Sequence, residues 1–443
     1  MRSGKGLPFR MLMADIAVVI DECTEVTAGD VRSVRTRAIG GNPPNWRFNP
    51  SRLAIGLPTT LTDRQMDWLE IHSAIFAADR AVERAPHLDW TRSIDLHVPV
   101  RAPSFWRRHT AAFQDIFSSL TYDRLHLAFH DGEEFAEPPR TRVQPFPESD
   151  AVALLSGGLD SFVGALQLLA DGRKPLFVAA SGSGATNHSQ SEVFDVLEGV
   201  DRSRELLKLV VQRQGQFPGN EQSQRSRSFL FASSAALVAA ALGIEDVYLN
   251  ENGVMAVHVP LTAARVGSLS TRTASPRILA QMADLATTAL GETVRITNLL
   301  VDMTKPEVVE RGVELGHSPD LQKSVSCWSI SHRSTHCGYC APCLTRRISC
   351  AAHGVPDVTY DEDVFTDPAA LSRDDAKDAL THLIALAEEF QDGDDADLEL
   401  DYPELLGGGV ALSLSDAIAM YRRWANQALG VLGQQPVPRS FMS

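Results

Sequence analysis

Ala151-Val-Ala-Leu-Leu155-Ser156-Gly157-Gly158-Leu159-Asp160-Ser161 runs from an apolar strand, through a glycine turn, into a helix-like segment from Phe162 to Ala170. A second apolar strand, Pro175 to Ala180, follows directly. Strand, helix and strand in this order imply parallel pairing. Further pieces continue the alternation: Leu207 to Val211, the alanine-rich helix Phe229 to Leu242, Asp246 to Leu249 and Val294 to Leu299. The middle of the chain is therefore expected to be α/β, a parallel sheet with helices on both faces. The glycine turn has its own chemistry. Amides at a helix N-terminus attract phosphate oxygens, and Gly157 and Gly158 let those amides approach closely. Ser156 and Ser161 add hydroxyl donors. No lysine follows as in GxxxxGK[ST], so the γ-phosphate grip is absent and a cradle suited to pyrophosphate remains. A plain glycine-rich turn is the bland alternative, and the strand-helix setting favours the cradle. Asp160 fits a carboxylate organising either magnesium or the loop, and the side chains of Asp160 and Ser161 are expected to face the phosphates.

Outward from this segment, a proline-bearing stretch from Asp131 to Asp150 marks a boundary. Residues 1–149 are expected to be an α+β domain. Its strands are Ile16 to Ile20, Ile94 to Val100 and Leu125 to Phe129, and its helices Arg64 to Ala81 and Phe105 to Leu120. Residues 150–360 form the α/β domain, and 361–443 a helical, acidic extension. There, Ser372 and Asp375 start one helix and another runs from Ser415 to Leu429, capped by Gly430. Within the extension, Asp392 to Glu404 places seven carboxylates in thirteen residues and is expected to be a solvated loop.

At 443 residues the chain suits about three structural units. Apolar residues at 44% and charged residues at 22% exclude disordered and fibrous classes. The longest nearly apolar run, Phe231 to Gly243, is too short to span a bilayer, and no export signal is evident, so a cytoplasmic location without membrane contact is expected. Forty-one Lys and Arg against 56 Asp and Glu give a net charge of -15, which disfavours direct nucleic-acid binding. Four of six cysteines, Cys327, Cys337, Cys340 and Cys343, lie within seventeen residues. They suffice to close a tetrahedral zinc site with no open position. An iron-sulfur cluster competes on spacing, and His332, His336 and Cys350 are alternative ligands.

Ser156 to Ser161 matches SGGxDS and resembles the PP-loop ATP pyrophosphatases. Together with Cys327-x9-Cys337-Gly-x-Cys340-x2-Cys343-x2-Arg346, it resembles the QueC family, the 7-cyano-7-deazaguanine synthases. That resemblance covers about residues 150 to 358. It implies an adenine nucleotide alpha hydrolase-like fold, ATP, Mg²⁺ and Zn²⁺, and a small deazapurine substrate activated as an acyl-adenylate. Ser156, Gly157, Gly158, Leu159, Asp160, Ser161 and His188 would bind the nucleotide, while Asp160, Ser161, Arg227 and Lys305 would take part in catalysis.

The sequence departs from the family at Asn250 to His258 and the Ser/Thr-rich Ser268 to Ser275. There Gly253, Ala256, Gly267 and Ser268 would leave a channel for a peptide end. The extra domains resemble the QueC-like components of the Qat and certain CBASS anti-phage systems. This implies a protein partner of a defence operon, with an amine as acyl acceptor. A PP-loop tRNA sulfurtransferase and an ATP-binding assembly subunit without turnover are the rival functions.

Overall fold

The computed structural model describes residues 16–26, 29–84, 91–132, 146–181, 184–261, 272–330, 335–365 and 374–435. His332, Gly267, Ser268 and Ser372 lie outside the described residues. In the N-terminal part, β1 (Ile16–Ile20), β2 (Asp30–Val34), β3 (Trp46–Asn49), α1 (Pro50–Ile55) and α2 (Asp63–Ala81) come first. They are followed by β4 (Ser93–Val100), α3 (Pro103–Trp106), α4 (Thr110–Thr121) and β5 (Arg124–Asp131). The middle part holds β6 (Ala151–Leu154), α5 (Leu159–Ala170), β7 (Pro175–Ala180), α6 (Gly184–Val200), β8 (Leu206–Arg213) and α7 (Arg227–Leu242). Next come β9 (Asp246–Tyr248), α8 (Gly253–Val257), α9 (Pro276–Leu290), β10 (Arg295–Thr297), α10 (Lys305–Glu314) and α11 (Ala341–His353). The C-terminal helices are α12 (Asp374–Asp392), α13 (Asp395–Asp401) and α14 (Leu414–Leu432).

The central sheet has the order β10-β9-β6-β7-β8-β3. The five strands from β10 to β8 run parallel, and β3 closes one edge antiparallel to β8, Trp46 facing Arg213. The chain winds outward from β6 through β7 to β8 and then returns to β9 on the other side of β6. A crevice opens at the carboxyl ends of strands where such a reversal occurs, and ligands of open α/β sheets bind there. The loops after β6 and after β9 meet at this point.

The N-terminal part departs from the α+β expectation. Its sheet, β2-β1-β4-β5, is wholly parallel. Along β4, alternate residues Ile94, Leu96, Val98 and Val100 are buried, so one face supplies core. The boundary expected before Ala151 is also crossed, because β3 lies in the central sheet. A single apolar cluster joins Leu96 and Phe113 to Phe229 and Leu237, and Trp68 donates its indole N–H to the Ser233 carbonyl at 2.8 Å.

The C-terminal extension is built into the molecule as well. Leu383, Phe390, Tyr421 and Trp424 share a core with Val254 of α8 and Leu344 of α11. Gly430 does not end the last helix. Leu432 is buried, which keeps the chain helical to Gly433. The acidic segment is not a loop either: Asp394 accepts from the Ala396 amide and Leu398 is buried, so residues 395–401 are helical. Gly253 and Ala256 likewise open no channel. A Cβ on Gly253 would lie 2.0 Å from the Val301 carbonyl oxygen and 2.3 Å from the Met420 sulfur, and Ala256 is buried. Their small size admits α14, not a peptide.

Within the shared core, His72 is buried among Trp68, Phe113 and Phe229 and donates Nδ1–H to the Trp68 carbonyl at 2.6 Å. Burial pushes its pKa from 6.5 down to about 3. A base whose folded-state value is depressed takes up protons preferentially in the unfolded chain. The stability it contributes is therefore complete above pH 6.5 and is lost as pH falls towards 3. The slope is about 1.4 kcal/mol per pH unit. Replacing His72 with Phe is expected to flatten this part of a denaturation series run between about pH 6 and pH 4, whereas an unchanged slope would show that other groups set it.

Candidate functional site

The phosphate loop is shaped by three local constraints. Gly157 has φ +82°, and a Cβ there would stand 3.0 Å from the Gln190 amide nitrogen, so both conformation and space favour glycine. Gly158 is the N-cap of α5, with φ -80° and ψ 160°. The Ser156 and Ser161 hydroxyl oxygens lie 2.9 Å apart, Ser156 Oγ accepts from the Gly158 amide at 3.2 Å, and Ser161 Oγ donates to the Gly158 carbonyl at 3.0 Å. Outside the loop, the Val325 amide and the Ser189 hydroxyl both donate to the Gly157 carbonyl, each at 2.9 Å.

Asp160 is 4% exposed and borders the cavity beside the loop, with both carboxylate oxygens held by neighbouring groups. Lys305 Nζ donates to its Oδ1 at 2.7 Å, and the Asn252 side chain and backbone amide donate to its Oδ2 at 2.9 and 3.3 Å. Burial disfavours the charge, but the Lys305 ammonium and these hydrogen bonds outweigh burial and hold the carboxyl below the usual carboxylate range. With both oxygens engaged, Asp160 fits the loop-organising role better than a magnesium ligand. Lys305 begins α10, whose start is fixed by a capping box in which Thr304 and Glu307 bond each other's backbone amides. The last helix braces this cap. Thr304 donates its hydroxyl to Gln427 at 2.6 Å, and Arg423 Nε donates to Glu307 at 2.8 Å.

Two cavities flank the loop. One, of 210 Å³, is lined by Ser156, Asp160, Ser161, Glu251, Lys305 and Thr345, among others. The other, of 160 Å³, includes Ser156, Ser161, Gln190, Arg227, Phe231 and the carboxyl end of β7. Asn250 and Glu251 border both. Arg227 stands over the Phe231 ring at 5.1 Å, and burial pushes its guanidinium below its ordinary pKa. Gln190 Nε2 donates to the Ala180 carbonyl at 2.9 Å, which leaves its buried Oε1 without a partner in the second cavity. His188, by contrast, is exposed on α6 and lines neither cavity. Sequence reading passed over Ser189, Gln190 and the roles of Asn250 and Asn252. Only their place after strands at a topological reversal could have marked them.

The four cysteines converge: the sulfurs of Cys327, Cys337, Cys340 and Cys343 all lie within 4.8 Å of one another. The Cys337 and Cys340 amides donate to the Cys327 and Cys337 sulfurs at 3.5 and 3.4 Å, contacts that would stabilise metal-bound thiolates. Neither remaining candidate in the described residues joins them. His336 Nε2 accepts from the Ser326 amide at 3.0 Å, while Cys350 is buried elsewhere and its thiol is pushed up to about 12, by burial first. A four-thiolate set of this size fits a structural zinc ion. From this centre α11 carries Arg346, fully buried, whose guanidinium donates to the Leu321 and Ser324 carbonyls, each at 2.9 Å, and pairs with Asp357 at 2.8 Å. Val325, next to Ser324, holds the phosphate loop.

About one zinc per chain is accordingly expected by elemental analysis. Replacing Cys340 with Ser should release it and lower both the melting temperature and nucleotide affinity, since metal binding and local folding are coupled here. Iron with visible absorbance would overturn the zinc assignment.

Residues 224–353 match the family model described as queuosine biosynthesis protein QueC. That span contains Arg227, Lys305 and all four cysteines and leaves Ser156 to Ser161 outside it. Among curated relatives, the 7-cyano-7-deazaguanine synthase of Nitrosomonas eutropha is 31% identical over 140 residues, 31% of this chain and 57% of the relative. That of Hydrogenovibrio crunogenus is 30% identical over 139 residues, 30% of this chain and 54% of the relative. The enzyme of Ralstonia pickettii is 39% identical over 80 residues, 18% and 35% of the two chains. The chain thus spans about half the length of the longer-matching relatives. No helix among the described residues is long and apolar enough to cross a membrane. The chain carries a QueC family domain and is homologous over part of its length to 7-cyano-7-deazaguanine synthases.

Proposed function

We propose that this protein is an ATP-dependent ligase that activates a 7-deazaguanine carboxylate and transfers the acyl group to an amine. The observation that carries the reading is the placing of two cavities on either side of one phosphate loop, with Lys305 on one side and Arg227 on the other. Such a layout suits two small ligands that meet at a phosphate. The nucleotide takes the cavity beside β7, where apolar Val178, Ala179 and Phe231 accept a planar base and Gln190 offers an acceptor. The acid takes the cavity lined by Ser156, Ser161, Thr345 and Lys305, whose hydroxyl and ammonium N–H groups can donate to a carboxylate, while Asp160 already balances the lysine charge.

A carboxylate oxygen attacks the α-phosphorus of ATP, forming a P–O bond as pyrophosphate leaves. The amine then attacks the acyl carbon and AMP departs, the amine giving up a proton. Splitting a poor acylation this way provides a better leaving group. The amides of Gly158 and Leu159 and the cation of Arg227 would bind the departing charge. Magnesium, carried on the nucleotide, supplies further neutralisation of phosphate charge.

Removing the Ser161 hydroxyl with Ser161→Ala is expected to cut pyrophosphate release about 100-fold with little loss of stability. Asp160→Asn should also be inactive, and its unpairing of Lys305 should lower stability by about 3 kcal/mol in denaturant titrations. Pyrophosphate release by Ser161→Ala at the rate of the unaltered protein would remove the loop from the mechanism.

For the acceptor we favour the terminus of a partner protein in an anti-phage defence system over ammonia. Support comes from the N-terminal sheet and C-terminal helices, which add surface outside residues 224–353, the span that the family model matches. Incubating the protein with ATP, 7-carboxy-7-deazaguanine and either ammonium or the co-encoded partner decides between them. An adduct mass on the partner is expected, whereas nitrile formation from ammonium with no adduct would return the protein to small-molecule synthesis.

A further inference from the structure

Where the N-terminal part meets the central sheet, Arg80 and Arg227, like Arg213 and Arg225, have no carboxylate within ion-pair distance among the described residues. Arg227, at the first turn of the sixteen-residue α7, lines the cavity beside Ser156 and Ser161. Arg80, in the last turn of α2, is 6% exposed, and its Nε is buried without a hydrogen-bond partner. The two helix ends are joined. Asp79 Oδ2 accepts from the Ser226 hydroxyl at 2.8 Å and from its amide at 3.1 Å, which sets Arg80 beside the start of α7.

The nearby carboxylates are already committed. Asp79 pairs with Arg92 at 2.6 Å, and Asp123 takes both Arg84 and Arg92. Glu221 accepts from the amides of Arg84 and Ser223, each at 2.8 Å. Arg213, at the end of β8, donates to Asn220 at 3.0 Å and adds a third cation. Burial lowers the Arg80 pKa to about 10, with Arg213 adding to the effect and Asp79 opposing it. A buried guanidinium without a counter-charge is costly unless something else supplies one. In a chain of net charge -15, such a cluster of unpaired cations is selective for an anion.

We propose that Arg80 and Arg227 form an anion-binding site for the terminal phosphates of the nucleotide, so that the N-terminal part contributes directly to ATP binding. The inference rests on the reading of Ser156 to Ser161 as an ATP loop, since the cavity that Arg227 lines opens onto that loop. Convergence of several positive charges favours a multiply charged polyphosphate over a single carboxylate.

The test compares Arg80→Lys with Arg80→Met in the full chain, because the two share an unbranched stem and differ in charge. Titration calorimetry with ATP, inorganic pyrophosphate and adenosine is the measurement. Arg80→Met is expected to bind ATP and pyrophosphate about tenfold more weakly than Arg80→Lys, with adenosine affinity equal in the two. Equal affinities of the two variants for pyrophosphate, or a loss that extends equally to adenosine, would overturn the site and leave Arg80 a packing role. If the unaltered protein bound pyrophosphate through Arg80 but not ATP, the nucleotide reading would fail while the anion site stood.

Discussion

The buried pair of Asp160 and Lys305 is the constraint on which the candidate site depends. Two ions taken out of water are tolerable only when close contact and further hydrogen bonds offset the loss of hydration. Here Asn252 supplies those bonds. The pair ties three elements that are far apart in sequence: the start of α5, the loop after β9 and the start of α10. Those are the segments that the topological reversal brings to the carboxyl edge of the sheet. The fold supplies the crevice, and the ion pair fixes the relative positions of its walls.

The outer parts of the molecule act on the same walls. Arg346 passes the position of the cysteine centre to residues 321–326, and the Val325 amide passes it on to the Gly157 carbonyl. From the other side, Gln427 and Arg423 hold the cap of the helix that begins at Lys305, while the Tyr421 hydroxyl donates to the Val254 carbonyl at 2.7 Å and so secures the turn after Asn252. The C-terminal extension is thus a support for both sides of the Lys305 cavity, which accounts for the glycine at 253: any side chain would push α14 away.

Local element types could be read from the sequence where periodicity was strong. Pro175 to Ala180 is a strand with the expected limits, and the helix expected from Phe229 starts only two residues earlier. Spacing alone gathered the four cysteines, because thiolates with one metal to share leave little choice of arrangement. Partners were not legible. The alternation along β4 marks a strand with one buried face but does not say that its neighbours run parallel. The SGGLDS pattern around Asp160 is local and says nothing of its ion-pair partner, Lys305, 145 residues away. The acidic stretch after Asp392 is solvated as its carboxylates suggest, but it is helical and not a loop, because one turn carries Leu398 into the core.

Charge shows how far site and surface can diverge. The whole chain carries -15, yet Arg80, Arg213 and Arg227 gather where the two sheets join, while Lys305 at the other cavity is balanced by Asp160. A negative exterior repels polyanions at long range, where screening weakens the effect within about 10 Å in salt. Inside a cavity with apolar walls the local cations dominate, because each is poorly screened there. This combination suits a small polyphosphate that can enter a narrow opening and disfavours a nucleic acid that must lie along the outside. It also weighs against a tRNA-modifying role, which in addition would need an accessible reactive thiol. Cys23 and Cys350 are the described cysteines left over from the cluster, and burial raises both thiols, to about 11 and about 12. Neither thiol is suited to carry sulfur, which favours the proposed phosphate chemistry over a sulfur relay.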